Sequence, residues 1–180
     1  MPIASSNLNY IFVEGDSDYL FMERVICPVK QVSFNIYDYA QKIGKAKKII
    51  SMIQRSNGKY VFTHDSDGRP DVNHLKLKLK RRFCLNNTDN ISIVVLEIES
   101  WLIAGMTPES RIALKGDSLK LSQWRRPETI NKEAFATIAA KNRLNKLAFE
   151  QRCLDSFDYD SAITRSESFR EFTNLFEAIF

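Results

Sequence analysis

The chain is poor in the residues that would settle its class at once. Its 180 residues hold three cysteines and two histidines. Cys27, Cys84 and Cys153 lie far apart and form no Cys-x-x-Cys pair, which argues against a zinc ribbon and against a disulfide framework. They read as buried free thiols of a cytoplasmic protein. No apolar run approaches the roughly 20 residues that span a bilayer, and no basic-then-apolar signal opens the chain. Neither sign of charge dominates. The 26 basic and 22 acidic residues leave a formal charge of +4. That balance does not establish nucleic-acid binding, but permits it where basic residues gather on one face. Gly44 is followed by Lys45, Lys47 and Lys48, but the spacing of a Walker loop is absent. Internal repeats and low-complexity segments are also missing.

What is present is an ordinary apolar content of 44%, enough for one domain with a real core. Asn9 to Val13 reads as a strand buried on both faces. Ser17 to Cys27 reads as a helix stopped by Pro28. Val32 to Tyr39 is a second strand, Gly44 to Arg55 a second helix, and Asn57-Gly58 a turn. Lys59 to His64 is a third strand. Asp71 to Phe83 is expected to be helical by its length and place, although Leu75, Leu77 and Leu79 alternate at the wrong period. Asn86 to Asn90 is a loop, Ile91 to Leu96 a fourth strand, and Glu97 to Ala104 a helix. The repeated strand-helix order predicts an α/β, mainly parallel sheet with helices on both faces. Beyond it, Gly105 to Asn131 reads as irregular. Lys132 to Cys153 reads as helix with a break near Asn142, Asp155 to Thr164 as loop, and Ser166 to Phe180 as a terminal helix. Residues 1–104 are therefore expected to form the α/β core. Residues 105–180 are expected to pack on it as a helical C-terminal extension of one compact domain.

Two acidic tips stand out. Ile11-Phe12-Val13-Glu14-Gly15-Asp16-Ser17-Asp18 ends the first strand, and His64-Asp65-Ser66-Asp67-Gly68 ends the third. In parallel sheets, functional groups gather at the carboxyl ends of strands. Glu14, Asp65, Asp67, Glu97 and Glu99 would then share an edge, where like charges repel and a divalent cation would relieve them. Oxygen ligands suit Mg²⁺ or Mn²⁺ rather than Zn²⁺. In an extended tip, Asp65 and Asp67 would point the same way toward one ion. Such a site suits phosphoryl transfer.

Glu14-Gly15 after one apolar strand and Asp65-x-Asp67 after a later one resemble the Toprim domain of topoisomerases, primases and OLD-family nucleases. The resemblance covers about residues 9 to 104 and implies a Rossmann-like Toprim fold. It implies that Glu14 acts as general acid/base or metal ligand, and that Asp65 and Asp67 hold Mg²⁺. Asp18, four residues after the glutamate, matches a further metal-binding acid of the OLD version. Glu97-Ile98-Glu99-Ser100-Trp101-Leu102 and Ser166-x-Ser168-Phe169-Arg170-x-Phe172 resemble small stand-alone bacterial Toprim-like proteins, some tied to phage-defence operons. The expected activity is a Mg²⁺-dependent (or Mn²⁺-dependent) nuclease or related phosphoryl-transfer enzyme, in phage defence or DNA repair, with DNA ahead of RNA as substrate. OLD nucleases also carry an ATPase domain, so a separate ATPase or other operon partner is an expected companion. Two other readings stay open: a non-catalytic Toprim module that binds nucleic acid or a partner protein, and a small-molecule phosphatase with a nucleophilic aspartate.

Each candidate has a plainer role beside its chemical one. Asp16, Ser17 and Asp18 precede a helix, where acids serve as caps and dipole partners. Asp65 and Asp67 suit a turn before Gly68. Glu97 and Glu99 sit at a strand-to-helix junction that attracts acids. His64 suits phosphate orientation or proton transfer, or a structural strand end. Asp158-x-Asp160 reads as a cap. Arg125, Lys141 and Arg165 are the basic residues expected to touch nucleic acid. Trp124, beside Arg125-Arg126, offers a face for base stacking.

Overall fold

The computed structural model describes residues 8–30, 33–116 and 118–180. A four-stranded, all-parallel sheet lies at its heart, in the order β2-β1-β3-β4. The strands are β1 (Asn9–Val13), β2 (Asn35–Asp38), β3 (Lys59–Asp65) and β4 (Ile91–Val94). Register runs in parallel from Tyr10 beside Asn35 and Tyr60 to Phe12 beside Tyr37 and Phe62. The α/β class and parallel sheet expected from the strand-helix order are present.

The helices between strands are α1 (Asp16–Phe21), a π-helical stretch (Met22–Ile26), α2 (Cys27–Lys30), α3 (Ile43–Arg55) and α4 (Val72–Phe83). Pro28 does not stop the first of these. It lacks an N–H and its ring crowds the carbonyl four residues back. The chain widens into the π turn just before it and continues to Lys30, a known way to absorb such a defect. The first residue of the expected second strand, Val32, lies outside the described residues. In α4 the alternating leucines resolve cleanly. Leu75 and Leu79 are buried, four residues apart on one face, while Leu77 is 48% exposed. Asp71 caps this helix by accepting from His74 N.

After β4 come α5 (Glu99–Ala104), α6 (Pro108–Ile112), α7 (Leu121–Arg125) and a 3₁₀ turn (Pro127–Thr129). They are followed by α8 (Lys132–Lys141), α9 (Lys146–Asp155), α10 (Tyr159–Arg165) and α11 (Glu167–Ile179). The stretch 105–131, read as irregular, holds short helices, and the expected loop at 155–164 holds α10. Their few apolar positions are too short a sample to show a helical period. Thr107, Asn131, Asn145 and Asp158 each accept from a backbone N–H of the first turn that follows. The break near Asn142 is present. Asn142 Oδ1 accepts from Lys115 N at 2.7 Å, and its amide donates to Ser118 Oγ and Ile138 O.

The chain divides into two compact units. The first, the sheet unit, holds the described residues up to His64, with Pro70–Ile93 and Asn174–Phe180. Phe12, Tyr60, Phe62, Ile91 and Ile93 of the strands form one core with Ala46, Ile50 and Ile53 of α3 and Leu75, Leu79 and Phe83 of α4. Ile11, Val13 and Val61, on the alternate side of their strands, are equally dry. The second, the helical unit, holds Asp65–Arg69 and Val94–Thr173. Its centre is Trp101, whose Nε1–H donates to Ser168 Oγ at 2.9 Å and whose ring lies 5.1 Å from Phe169 and 5.2 Å from Phe172. The two motifs around Trp101 and Phe169 are thus one packing arrangement. Gly105 is required there: a Cβ would collide with the Phe157 ring.

The thiols are all free. Cys153 is buried, but Cys27 is half-buried and Cys84 is exposed. Cys84 ends α4 in the left-handed region (φ 56°), which turns its side chain away from the helix's apolar face.

Candidate active site

In the sheet unit, Glu14 follows the last residue of β1. Its Oε2 lies 2.6 Å from His64 Nδ1. The Tyr39 hydroxyl lies 2.7 Å from the same nitrogen and donates to Thr63 O at 3.2 Å. A carboxylate oxygen 2.6 Å from Nδ1 can only accept, which calls for a proton on Nδ1. The imidazole therefore donates toward Glu14 whether or not the ring is charged. Tyr39 is fixed by stacking on Phe62 at 4.4 Å and by edge contact with Phe83 at 5.1 Å. The core thus orients His64, and His64 orients Glu14. Asp18 lies in the first turn of α1 with only 4% exposure. Gly15 is the cap of that helix and Asp16 its exposed first residue.

In the helical unit, the 65–69 tip is clasped to the segment after β4. Ser66 N donates to Val94 O at 2.9 Å, Leu96 N to Ser66 Oγ at 2.8 Å, and Asp67 N to Leu96 O at 3.2 Å. Asp67 (φ 49°), Gly68 (φ 74°) and Leu96 (φ 60°) all adopt left-handed backbone. Aspartate and glycine tolerate this, but a leucine there is strained by about 1–3 kcal/mol. The Ser66 clasp holds it. The tip is consequently not the extended one expected from sequence. Asp65 is buried, whereas Asp67 is exposed and lies 3.5 Å from Arg69. A left-handed residue breaks the two-residue alternation that would have aligned them.

Lys132, at the start of α8, joins two of the acids. Its Nζ is 3.0 Å from Glu97 Oε1 and 3.6 Å from Asp65 Oδ2, and its backbone N–H donates to Glu97 Oε2 at 2.5 Å. Glu97 therefore sits on the N-terminus of α8, where the exposed N–H groups favour an anion. Burial works against the Lys132 charge. The Glu97 hydrogen bond and the charges of Asp65, Glu97 and Glu99 outweigh that, and raise its pKa well above the usual lysine value. Glu99 is wholly buried, with Lys146 Nζ 2.6 Å from Oε1. That approach is an ion pair without hydrogen-bond geometry, so neither Glu99 oxygen accepts a hydrogen bond among the described residues.

The basic residues expected to touch nucleic acid fare differently. Arg125 and Lys141 are exposed. Arg165 is consumed internally. Its guanidinium lies 3.7 Å from the Trp124 ring centroid and donates to the carbonyls of Ala104 and Met106. Burial lowers its pKa to about 10, partly offset by Asp158, so it stays charged at neutral pH. The stacked guanidinium also takes the Trp124 face expected to receive a base. Asp158 caps α10 by accepting from Ser161 N at 2.7 Å, as its sequence position predicts. Tyr39, Lys132 and Lys146 carried no local signal. Each is a lone residue whose partner is distant in sequence.

The carboxylates suit a hard cation in chemistry, since all are oxygen donors and a buried Glu99 oxygen lacks a donor. Among the described residues, however, no group of three or more His, Cys, Asp or Glu is gathered to hold an ion. Glu14 instead faces His64, Asp67 faces Arg69, Asp65 and Glu97 face Lys132, and Glu99 faces Lys146.

No protein-family model and no curated protein sequence matches the chain. Its fold is similar to a solved structure, the C-terminal region of the OLD protein of Xanthomonas campestris pv. campestris. The TM-score is 0.50 and the identity 16%, over 94% of each chain. At that identity the likeness concerns the fold. Among the described residues no helix is long and apolar enough to cross a membrane.

Proposed function

We propose that the chain is a Toprim-like, Mg²⁺-dependent nuclease acting on nucleic-acid phosphodiesters. The observation that carries this reading is where the acids fall. Glu14 follows β1, Asp65 closes β3, and Glu97 and Glu99 follow β4, at the strand ends where parallel sheets place their chemistry. The fold likeness to the C-terminal region of an OLD protein agrees with it.

Among the acids expected to ligate Mg²⁺ or Mn²⁺, Glu14 and Asp18 belong to the sheet unit and Asp65, Asp67, Glu97 and Glu99 to the helical unit, where Asp65, Glu97 and Glu99 are the ones that would hold an ion. When bound, the ion would supply charge neutralisation on the phosphate and an activated water. The chain's own residues set the rest. Glu14, oriented through His64 Nδ1–H, serves as general base. Lys132 carries a fixed positive charge beside Asp65 and Glu97, available to the developing negative charge of the phosphoryl oxygens.

One observation favours a second reading. Arg69, Lys132 and Lys146 already pair with Asp67, Asp65, Glu97 and Glu99, as in a module that binds nucleic acid or a protein without cleaving. Incubation with supercoiled, linear and single-stranded DNA and with RNA, with Mg²⁺ or Mn²⁺, separates the two. The nuclease reading expects cleavage abolished by Glu14→Ala and by Asp65→Ala. Cleavage that survives both substitutions would falsify it, and absence of cleavage and of calorimetric Mn²⁺ binding favours the module.

A further inference from the structure

A cleft of about 500 Å³ in the helical unit is lined by Arg125, Arg126, Arg165 and Arg170, with Glu128 and Glu167 as its acids. The arginines come from two stretches of chain some 40 residues apart, so the fold and not a local charge run brings them together. Four guanidiniums outnumber the cleft's two carboxylates, which leaves it with a net positive charge.

Glu128 is engaged elsewhere. Its Oε1 accepts from Ser168 N at 2.7 Å and from Ser166 Oγ at 2.8 Å, completing the N-terminus of α11. Glu167 is exposed and reaches Arg170 only at 3.9 Å, a separation worth little in water. Arg165 forms a fixed cationic wall, stacked on Trp124 and tied to backbone carbonyls. Arg125 and Arg126, which close α7, are exposed and have no ion pair among the described residues.

We infer that this cleft binds the phosphate backbone of a nucleic-acid strand, with Arg125 and Arg126 as its mobile contacts and Arg170 at its rim. Guanidiniums suit this ligand because their forked N–H groups match two phosphate oxygens at once. The inference rests on the proposed nucleic-acid function and adds a specific anchoring site to it. It also replaces Arg165 with Arg126 as the partner of Arg125 in contact with the strand.

The test is fluorescence anisotropy of a labelled 12-nucleotide DNA strand in EDTA, across a series of salt concentrations. The full chain is compared with the Arg125→Ala/Arg126→Ala double variant, with inorganic triphosphate as competitor. Binding by the unmodified chain, weakened about tenfold or more in the double variant, is expected. The slope of log affinity against log salt should fall by about 1.5, as for two lost phosphate contacts. Circular dichroism checks that the exposed substitutions leave the fold intact. Equal affinity and equal slope in the variant overturn the inference, as does failure of the unmodified chain to bind the strand. Tight binding of triphosphate without strand binding assigns the cleft to small phosphates and overturns it too. EDTA removes the divalent ions on which the nuclease reading depends. A failure of the nuclease reading would therefore leave this result standing.

Discussion

The acid after β1 and the acids after β3 and β4 face different chemistry. Glu14, in the sheet unit, faces a histidine held against the Tyr39 hydroxyl. Asp65, Glu97 and Glu99, in the helical unit, face lysines. A histidine can give and take a proton near neutral pH, whereas a lysine holds its charge. The first arrangement suits proton transfer and the second suits charge balance. A general base and a charge-bearing cradle are the two parts that phosphodiester hydrolysis asks for.

The largest expected break in that contrast is Lys146→Met. It removes the ion-pair partner of the wholly buried Glu99; since Lys146 is 37% exposed and Lys132 still acts on Glu99, the cost should be at most about 3 kcal/mol. Chemical denaturation should show this as a lower midpoint. If Glu99 also binds a divalent ion, Mn²⁺ should raise the melting temperature of this variant more than that of the unmodified chain. Lys132→Met should destabilise less, by about 1–2 kcal/mol, because Lys132 is half exposed and its pairs are partly screened. In the nuclease reading it should nonetheless reduce cleavage about 100-fold. A variant that loses stability without losing cleavage would assign Lys132 to structure alone.

The Glu14 side is sharpened by His64→Asn against His64→Leu. Asparagine keeps an N–H donor near the Nδ1 position and leucine does not. Cleavage should fall about tenfold in the leucine variant and be largely rescued by asparagine. Equal loss in both would remove the positioning role. The smallest effect is expected away from the acids, at Asp158→Ala. Loss of this cap should cost about 1 kcal/mol. The hydrogen bonds from Ser161 hold the Asp158 carboxyl below its usual pKa. The cap therefore contributes above the ordinary carboxylate range and is lost as pH falls through the lowered value. The difference in urea midpoint between variant and parent should accordingly be larger at pH 7 than at pH 3.

Much of the sheet was legible because its signals are local. Ile11, Phe12 and Val13 announce a strand dry on both faces, and Lys59 to His64 does the same two strand-helix units later. Asn57 at φ 51° and Gly58 confirm a turn that asparagine and glycine make cheaply. The short helices α6, α7 and α10 were not legible, since they expose too few turns to show a period. Nor was the course of the helix through Pro28, where the proline signal was overridden by a π turn.

For the acids, the sequence by itself determined which would stand at strand ends, because strand lengths and parallel connections are written in runs of apolar residues. Only the tertiary structure decided what each acid faces. The left-handed backbone at Asp67 and Leu96 depends on the Ser66 clasp across some 30 residues. The pairing of Glu14 with His64, of Glu97 with Lys132 and of Glu99 with Lys146 joins residues with no spacing in common. Burial of a charge is affordable only where such a partner arrives, and arrival is a property of the fold.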